Sequence, residues 1–355
     1  MKASFVGNSL NLLLLRPYFP QMQSLCFNRS SFSQFSKPRF KIRFYANSPT
    51  YIPSHMDSLS NEIAHEFRFF RVYKDGRIQK FESTHKIPPY DDQITGVRSK
   101  DVVVSSEPAI SARIFLPKIQ DPTRKLPVLF YVHGGGFCFE SAFSPRLHNY
   151  VSTLAAEADV IAVSVEYRLA PEHPIPACYD DSWAAFQWVA SHAKGNGPEA
   201  WLNHHADLDR VFIAGDSAGG NFSHYLAARV GSNGLPGVKL IGAVLVHPYF
   251  GGTDDDKMWL YMCPENGGLE DPRLKPAVED LARLGCERVL VFVAEKDHLR
   301  EVGWRYYEEL KKSGWGGNVE IVENEGEDHC FHLEDLSYVK AQALIKQFAS
   351  FINQE

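Results

Sequence analysis

Nowhere in its 355 residues does the chain carry an apolar run approaching the ~18 residues that cross a bilayer. The sequence therefore provides no transmembrane helix, and a membrane is not expected among its partners. Paired C-x-x-C cysteines are missing as well. The six cysteines (26, 138, 178, 263, 286, 330) are scattered, which excludes a thiolate zinc centre, argues against a disulfide framework and points to a reducing compartment. The body of the chain has no basic stretch to offset a net charge of −6, which argues against a nucleic-acid partner. Neither G-x-x-x-x-G-K-[ST] nor G-x-G-x-x-G occurs, so the glycines present do not form a recognisable phosphate loop. What remains, 44% hydrophobic and 23% charged residues, is an ordinary globular composition with ample material for a buried core.

Residues 1–55 lack acid altogether. They hold Lys2, Arg16, Arg29, Lys37, Arg39, Lys41 and Arg43, with serine-rich stretches such as "NRSSFSQFSKPRF". Such a composition is that of an organellar transit peptide. The competing reading is a non-native N-terminal extension, with Met56 opening the protein. Localisation follows from that choice: cytoplasmic if translation starts at Met56, plastid or mitochondrion if 1–55 are a transit peptide. Either way the segment is set aside, leaving 56–355 as one domain.

From Arg77 the pattern is β-like: "GRIQKF", "VRSKDVVVS" and "ISARIFLP" are each bounded by Gly, Pro or Ser. "LPVLFYVHG" is an unbroken apolar run, as expected of a strand buried on both faces. Helical and strand patterns then alternate to the C-terminus, from "RLHNYVSTLAAEA" and "DVIAVSVEYR" to "NVEIVENEG" and "VKAQALIKQFASFI". This alternation predicts an α/β fold, a doubly wound and mostly parallel sheet with helices on both faces and an antiparallel edge in front. Chemistry in such sheets sits at the carboxyl ends of the strands. The polar residues that follow the strand runs are His133 with Gly134, Gly135 and Gly136, then Ser217, His247, Asp297 and His329.

"GDSAGG" places Ser217 in a G-x-S-x-G between a strand and a helix, the setting of a nucleophile elbow. The bland alternative is a serine capping a helix. A serine hydroxyl needs an adjacent base, and Ser217, Asp297 and His329 follow in the order Ser, acid, His. Asp297 competes with Glu295, and His329 with His332. His329 is preferred because it comes first after the acidic loop, whose Glu325, Glu327 and Asp328 are expected to raise its basicity. Three consecutive glycines at a strand end cost about 0.5–1 kcal/mol each relative to alanine. An acyl-transfer oxyanion explains them, because it needs backbone N–H donors unobstructed by side chains. Gly134, Gly135, Gly136 and Ala218, the residue after the nucleophile, are the candidate donors. Nothing in this chemistry calls for a metal or an organic cofactor.

With "HGGGF", "VSVEYRLAPEHPIPA", "AGDSAGG", "HPYF" and "DHCFHL" in hand, the chain resembles the hormone-sensitive-lipase-type α/β-hydrolases, in particular plant carboxylesterases, from Glu62 to the C-terminus. The resemblance implies an α/β-hydrolase fold of about eight strands with a small helical cap, drawn from residues 57–75 and 250–284. It also implies Ser217 as nucleophile, Asp297 as orienting acid, His329 as base, and a structural role for His133 and for the Tyr167–Pro174 loop. The substrate expected is a small to medium carboxylic ester. The cap stretch Phe250–Pro272 looks shorter than in many relatives, which predicts a more open pocket wall. Similar chains act as hydroxyisoflavanone dehydratases, as tuliposide-converting transferases or as gibberellin receptors. Against the receptor reading stand the complete Ser217, Asp297 and His329 set and the lack of a long ordered lid sequence at 57–80. The physiological ester and the oligomeric state are not legible.

Overall fold

The structure, a computed structural model, describes residues 61–354. The leader 1–55 and the first residues of the expected cap, 57–60, lie outside the described residues. Three short strands come first: β1 (Ile63–Glu66), β2 (Phe70–Tyr73) and β3 (Ile78–Lys80), an antiparallel meander in the order β1-β2-β3. This part of the cap, expected to be helical, is built of short strands. In β2 the side chains alternate, Phe70 and Val72 inward and Arg71 and Tyr73 half-exposed. Four residues are too few for that alternation to stand out in the sequence.

The main sheet comprises β4 (Arg98–Ser106), β5 (Ala109–Leu116), β6 (Leu126–Val132), β7 (Ile161–Glu166), β8 (Ala206–Asp216), β9 (Leu240–Val246), β10 (Arg288–Ala294) and β11 (Asn318–Asn324). Its order is β11-β10-β9-β8-β6-β7-β5-β4. The β4/β5 and β5/β7 pairs are antiparallel and the remaining pairs parallel, so the eight-stranded, mostly parallel sheet with an antiparallel edge is present. Connecting and flanking helices are α1 (Pro145–Ala158), α2 (Ala177–Ala190), α3 (Ala200–His205), α4 (Ala218–Asn233), α5 (Asp256–Met262), α6 (Val278–Leu281), α7 (Arg300–Lys312) and α8 (Val339–Asn353). The α3 turn, with its Glu199 cap accepting from Trp201 N–H, is too short to register as a period.

The apolar run of β6 is apolar because both faces are covered. Val128, Phe130 and Val132 join one core with Phe186 of α2 and Phe222 of α4. Leu129 and Tyr131 point the other way, into a second core with Leu147 and Tyr150 of α1 and Leu344 and Phe348 of α8. Helix α1 begins where the sequence allows it: Ser144 Oγ accepts from Leu147 N–H at 3.2 Å and Pro145 opens the first turn. All five cysteines among the described residues are buried and free. None of the described helices is long and apolar enough to cross a membrane.

Candidate active site

The carboxyl ends of β6, β8, β9, β10 and β11 converge, and the tightest turn among them lies between β8 and α4. Ser217 is held there at φ 55°, ψ −115°, a conformation that costs an L-residue energy and persists only where the surroundings enforce it. They do: Ser217 N–H donates to Val246 O at 2.8 Å, and its carbonyl accepts from Tyr249 N–H at 3.1 Å. A Cβ on Gly219 would lie 2.0 Å from Val132 O, and one on Gly215 2.3 Å from the same oxygen. The flanking glycines are therefore required by the approach of the elbow to β6.

The glycine run divides its labour. A Cβ on Gly134 would strike the buried Asp216 carboxylate at 2.4 Å. That carboxylate accepts from Tyr131 Oη at 2.6 Å. Gly135 and Gly136 have φ of 93° and 56°. The turn is braced by Tyr167 Oη, which donates to the carbonyls of His133 (2.9 Å) and Gly134 (3.0 Å), and by the His133 ring stacked on Tyr167. Among the described residues the N–H groups of Gly135, Gly136 and Ala218 have no hydrogen-bond acceptor. Of the four candidate donors, Gly136 and Ala218 line the cavity.

His329 Nδ1–H donates to Asp297 Oδ2 at 2.7 Å. Asp297 is buried, and its Oδ1 accepts from Leu299 N–H at 2.8 Å. Burial by itself would push this carboxyl up, but hydrogen bonds from His298 and His329 outweigh it and hold Asp297 well below the usual carboxylate range. His329 Nε2 lies 3.5 Å from Cys330 Sγ, and Ser217 Oγ has no hydrogen bond among the described residues. Such contacts tighten when substrate binds. The rival His332 is fully buried against Tyr150 and His247, and neither of its ring nitrogens has a partner. Glu295 accepts from Gly326 N–H, away from the imidazole. Glu327 pairs with Lys340 and Tyr338, and Asp328 accepts from the His329 backbone N–H.

Ser217, Ala218, Gly136 and His329 line one cavity with Phe69, Phe137, Tyr249, Met258 and Trp259. It holds about 380 Å³ of space. The cavity is a slit closed in on two sides. Helix α5 brings Met258 and Trp259 in from one side, and the β1–β2 turn brings Phe69 so close that a Cβ on Gly136 would meet its ring at 2.7 Å. Outside the slit lies a polar groove of about 1990 Å³, reached past Arg68, Asp255, Met258 and His298.

The sequence reading missed the charged knot at that junction. Arg68 Nη1 donates to Asp255 Oδ2 at 3.1 Å and stands 2.8 Å from His298 Nε2, while His298 Nδ1 lies 3.2 Å from Asp297 Oδ1. His298 Nε2 is also 3.1 Å from Asp255 Oδ2. Hydrogen bonds to Asp255 and then Asp297 raise the His298 pKa from 6.5 to about 9, against burial and the Arg68 charge. A raised pKa adds stability that is complete below 6.5 and disappears as pH rises through about 9. The melting-temperature gap between the wild type and His298→Gln should accordingly narrow from pH 6.5 to pH 10; a gap constant across that range would remove the knot from the stability balance.

With the fold and this geometry established, relatives can be weighed. Residues 129–333 match the model of a family described as alpha/beta hydrolase fold. The chain is 43% identical over 316 residues to probable carboxylesterase 1 of Arabidopsis thaliana, covering 84% of this chain and 99% of that protein. It is also 43% identical over 318 residues to 2-hydroxyisoflavanone dehydratase of Glycyrrhiza echinata, covering 82% and 97%. Among solved structures, the hyperthermophilic esterase of the archaeon Pyrobaculum calidifontis matches with a TM-score of 0.60 at 29% identity, over 72% of this chain and 85% of that one. The chain belongs to the α/β-hydrolase fold family, in its hormone-sensitive-lipase-type branch.

Proposed function

We propose that this protein is a serine carboxylesterase for esters with a small acyl group. The observation that carries the reading is a single cavity lined by Ser217, Ala218, Gly136 and His329, with the His329 ring bonded through Nδ1 to the buried Asp297. In this mechanism Ser217 Oγ attacks the ester carbonyl while His329 Nε2 takes its proton. The N–H groups of Gly135, Gly136 and Ala218 bind the oxyanion, and Gly134 serves as the spacer against Asp216. The tetrahedral intermediate collapses as His329 returns the proton to the leaving alcohol. Water then attacks the acyl-enzyme by the same route and frees Ser217. Names of the relatives support the class, and the reaction needs no group beyond the chain and water. The test is hydrolysis of p-nitrophenyl acetate, butyrate and octanoate by residues 56–355, with Ser217→Ala as control. No turnover by folded wild type would overturn the reading.

The slit's width supports the short-acyl preference. Phe69→Ala should raise kcat/KM for octanoate relative to butyrate by about 10-fold, the scale of one or two methylenes in an apolar pocket. An unchanged ratio would mean that Phe69 does not bound the acyl site. A second reading, elimination of water from a specialised metabolite, is favoured by one observation, the equal similarity to the Glycyrrhiza dehydratase. Under that reading Ser217→Ala would leave turnover of the 2-hydroxyisoflavanone largely intact, with dehydrated product and no acyl-enzyme.

A further inference from the structure

We propose that His247 is a positioning residue that fixes the direction of the His329 imidazole through the Cys330 peptide group. His247 follows β9 directly and sits at φ 48°, outside the range a histidine adopts without cost. Its own N–H donates to Phe292 O at 2.9 Å, and the preceding residue, Val246, accepts from Ser217 N–H. The backbone that holds the nucleophile thus also holds this ring. The ring is buried and is absent from the cavity wall, so it does not meet substrate.

What it meets is the loop of the base. Cys330 N–H donates to His247 Nδ1 at 2.9 Å. Cys330 itself has φ 53°, and the His247 and His329 ring centres are 5.9 Å apart. The peptide plane between His329 and Cys330 is therefore pinned by one buried hydrogen bond to a side chain, next to a residue in a left-handed conformation. For Nδ1 to accept, the ring must be neutral with its proton on Nε2. Burial first and the neighbouring His329 second lower the ring's pKa from 6.5 to about 3, against the opposing effects of Asp297 and Asn324. The acceptor is thus available throughout the working range. Losing it would leave a buried N–H unsatisfied, and the simplest relief is rotation of that peptide plane. Such a rotation would swing His329 away from the line between Asp297 and Ser217.

The proposal rests on the serine-hydrolase reading, and its test separates the two. Asparagine is the conservative replacement: its Oδ1 occupies nearly the place of His247 Nδ1, and it tolerates positive φ. Phenylalanine keeps the ring but loses the acceptor. Glycine loses the acceptor and relieves the backbone, which guards against a Phe variant that fails to fold. Expected are kcat values lowered about 10²-fold in His247→Phe and His247→Gly, the usual cost of misplacing a reacting group by about 1 Å. KM should be little changed, and His247→Asn should retain kcat within about threefold of wild type. The second readout is the far-downfield proton resonance of the His329–Asp297 hydrogen bond, which needs no turnover. It should persist in wild type and the Asn variant and broaden or vanish in the other two. Folded Phe or Gly variants with wild-type kcat and an intact resonance would overturn the proposal, as would an Asn variant impaired as severely as they are. Should wild type hydrolyse none of the esters, the esterase reading falls and the resonance alone decides the role of His247.

Discussion

Ser217→Ala should lower kcat for p-nitrophenyl butyrate by about 10⁶-fold while leaving KM within a few-fold, the pattern expected when the unit that forms the acyl-enzyme is broken. The alanine keeps the elbow's shape, because the bonds that fix the turn come from its backbone: Ser217 N–H to Val246 O and Tyr249 N–H to Ser217 O. Removing Oγ therefore deletes the attacking atom and little else. Residual turnover of ~10³-fold over water should remain from the oxyanion site and binding. The same variant should resist labelling by an alkyl phosphonate fluoride that adds one phosphonyl group to wild type, read by mass spectrometry. Retention of more than a percent of kcat would mean that another group attacks the ester.

Asp297→Asn is the second large effect, about 10⁴-fold in kcat near pH 7. The carboxylate accepts from His329 Nδ1–H at 2.7 Å and so keeps the Nε2 lone pair facing the serine. An amide nitrogen in its place would donate to Nδ1 and favour the opposite tautomer, whose Nε2 is already protonated. Stability should respond with a definite sign. Burial alone would raise the Asp297 pKa, but hydrogen bonds led by those from His298 and His329 depress it. The ionised form therefore stabilises the fold above the unfolded-chain value of about 4, and that benefit is lost as pH falls through the folded value. The melting-temperature gap between wild type and Asp297→Asn should be widest near pH 7 and begin to shrink as pH falls below about 4. A gap that widened in acid would contradict the depressed carboxylate.

The parallel sheet could be read from the sequence because β6, β8, β9 and β10 are buried on both faces and so appear as continuous apolar runs. The elbow was legible because Gly215, Ser217 and Gly219 respond to local crowding, and local crowding leaves a short motif. The Arg68–Asp255–His298 knot left none. It joins residues 187 and 230 positions apart, and no periodicity encodes a meeting at that distance. The same holds for His247, which reads as a strand-end histidine until the Cys330 N–H is found against it. The part of the wall formed by Phe69 was not legible, because the length of the cap stretch says nothing about a residue that enters from the β1–β2 turn.

The narrow slit that opens onto a wide polar groove also bears on the fate of the acyl-enzyme. In the proposed mechanism the acyl-enzyme's carbonyl oxygen sits at Gly136 and Ala218, while the cavity adjoins the polar groove at Arg68, Asp255, Met258 and His298. Deacylation then becomes a competition between nucleophiles. If the proposed acyl-enzyme forms, the ratio of new ester to free acid in mixed solvent would measure how well the groove seats each acceptor.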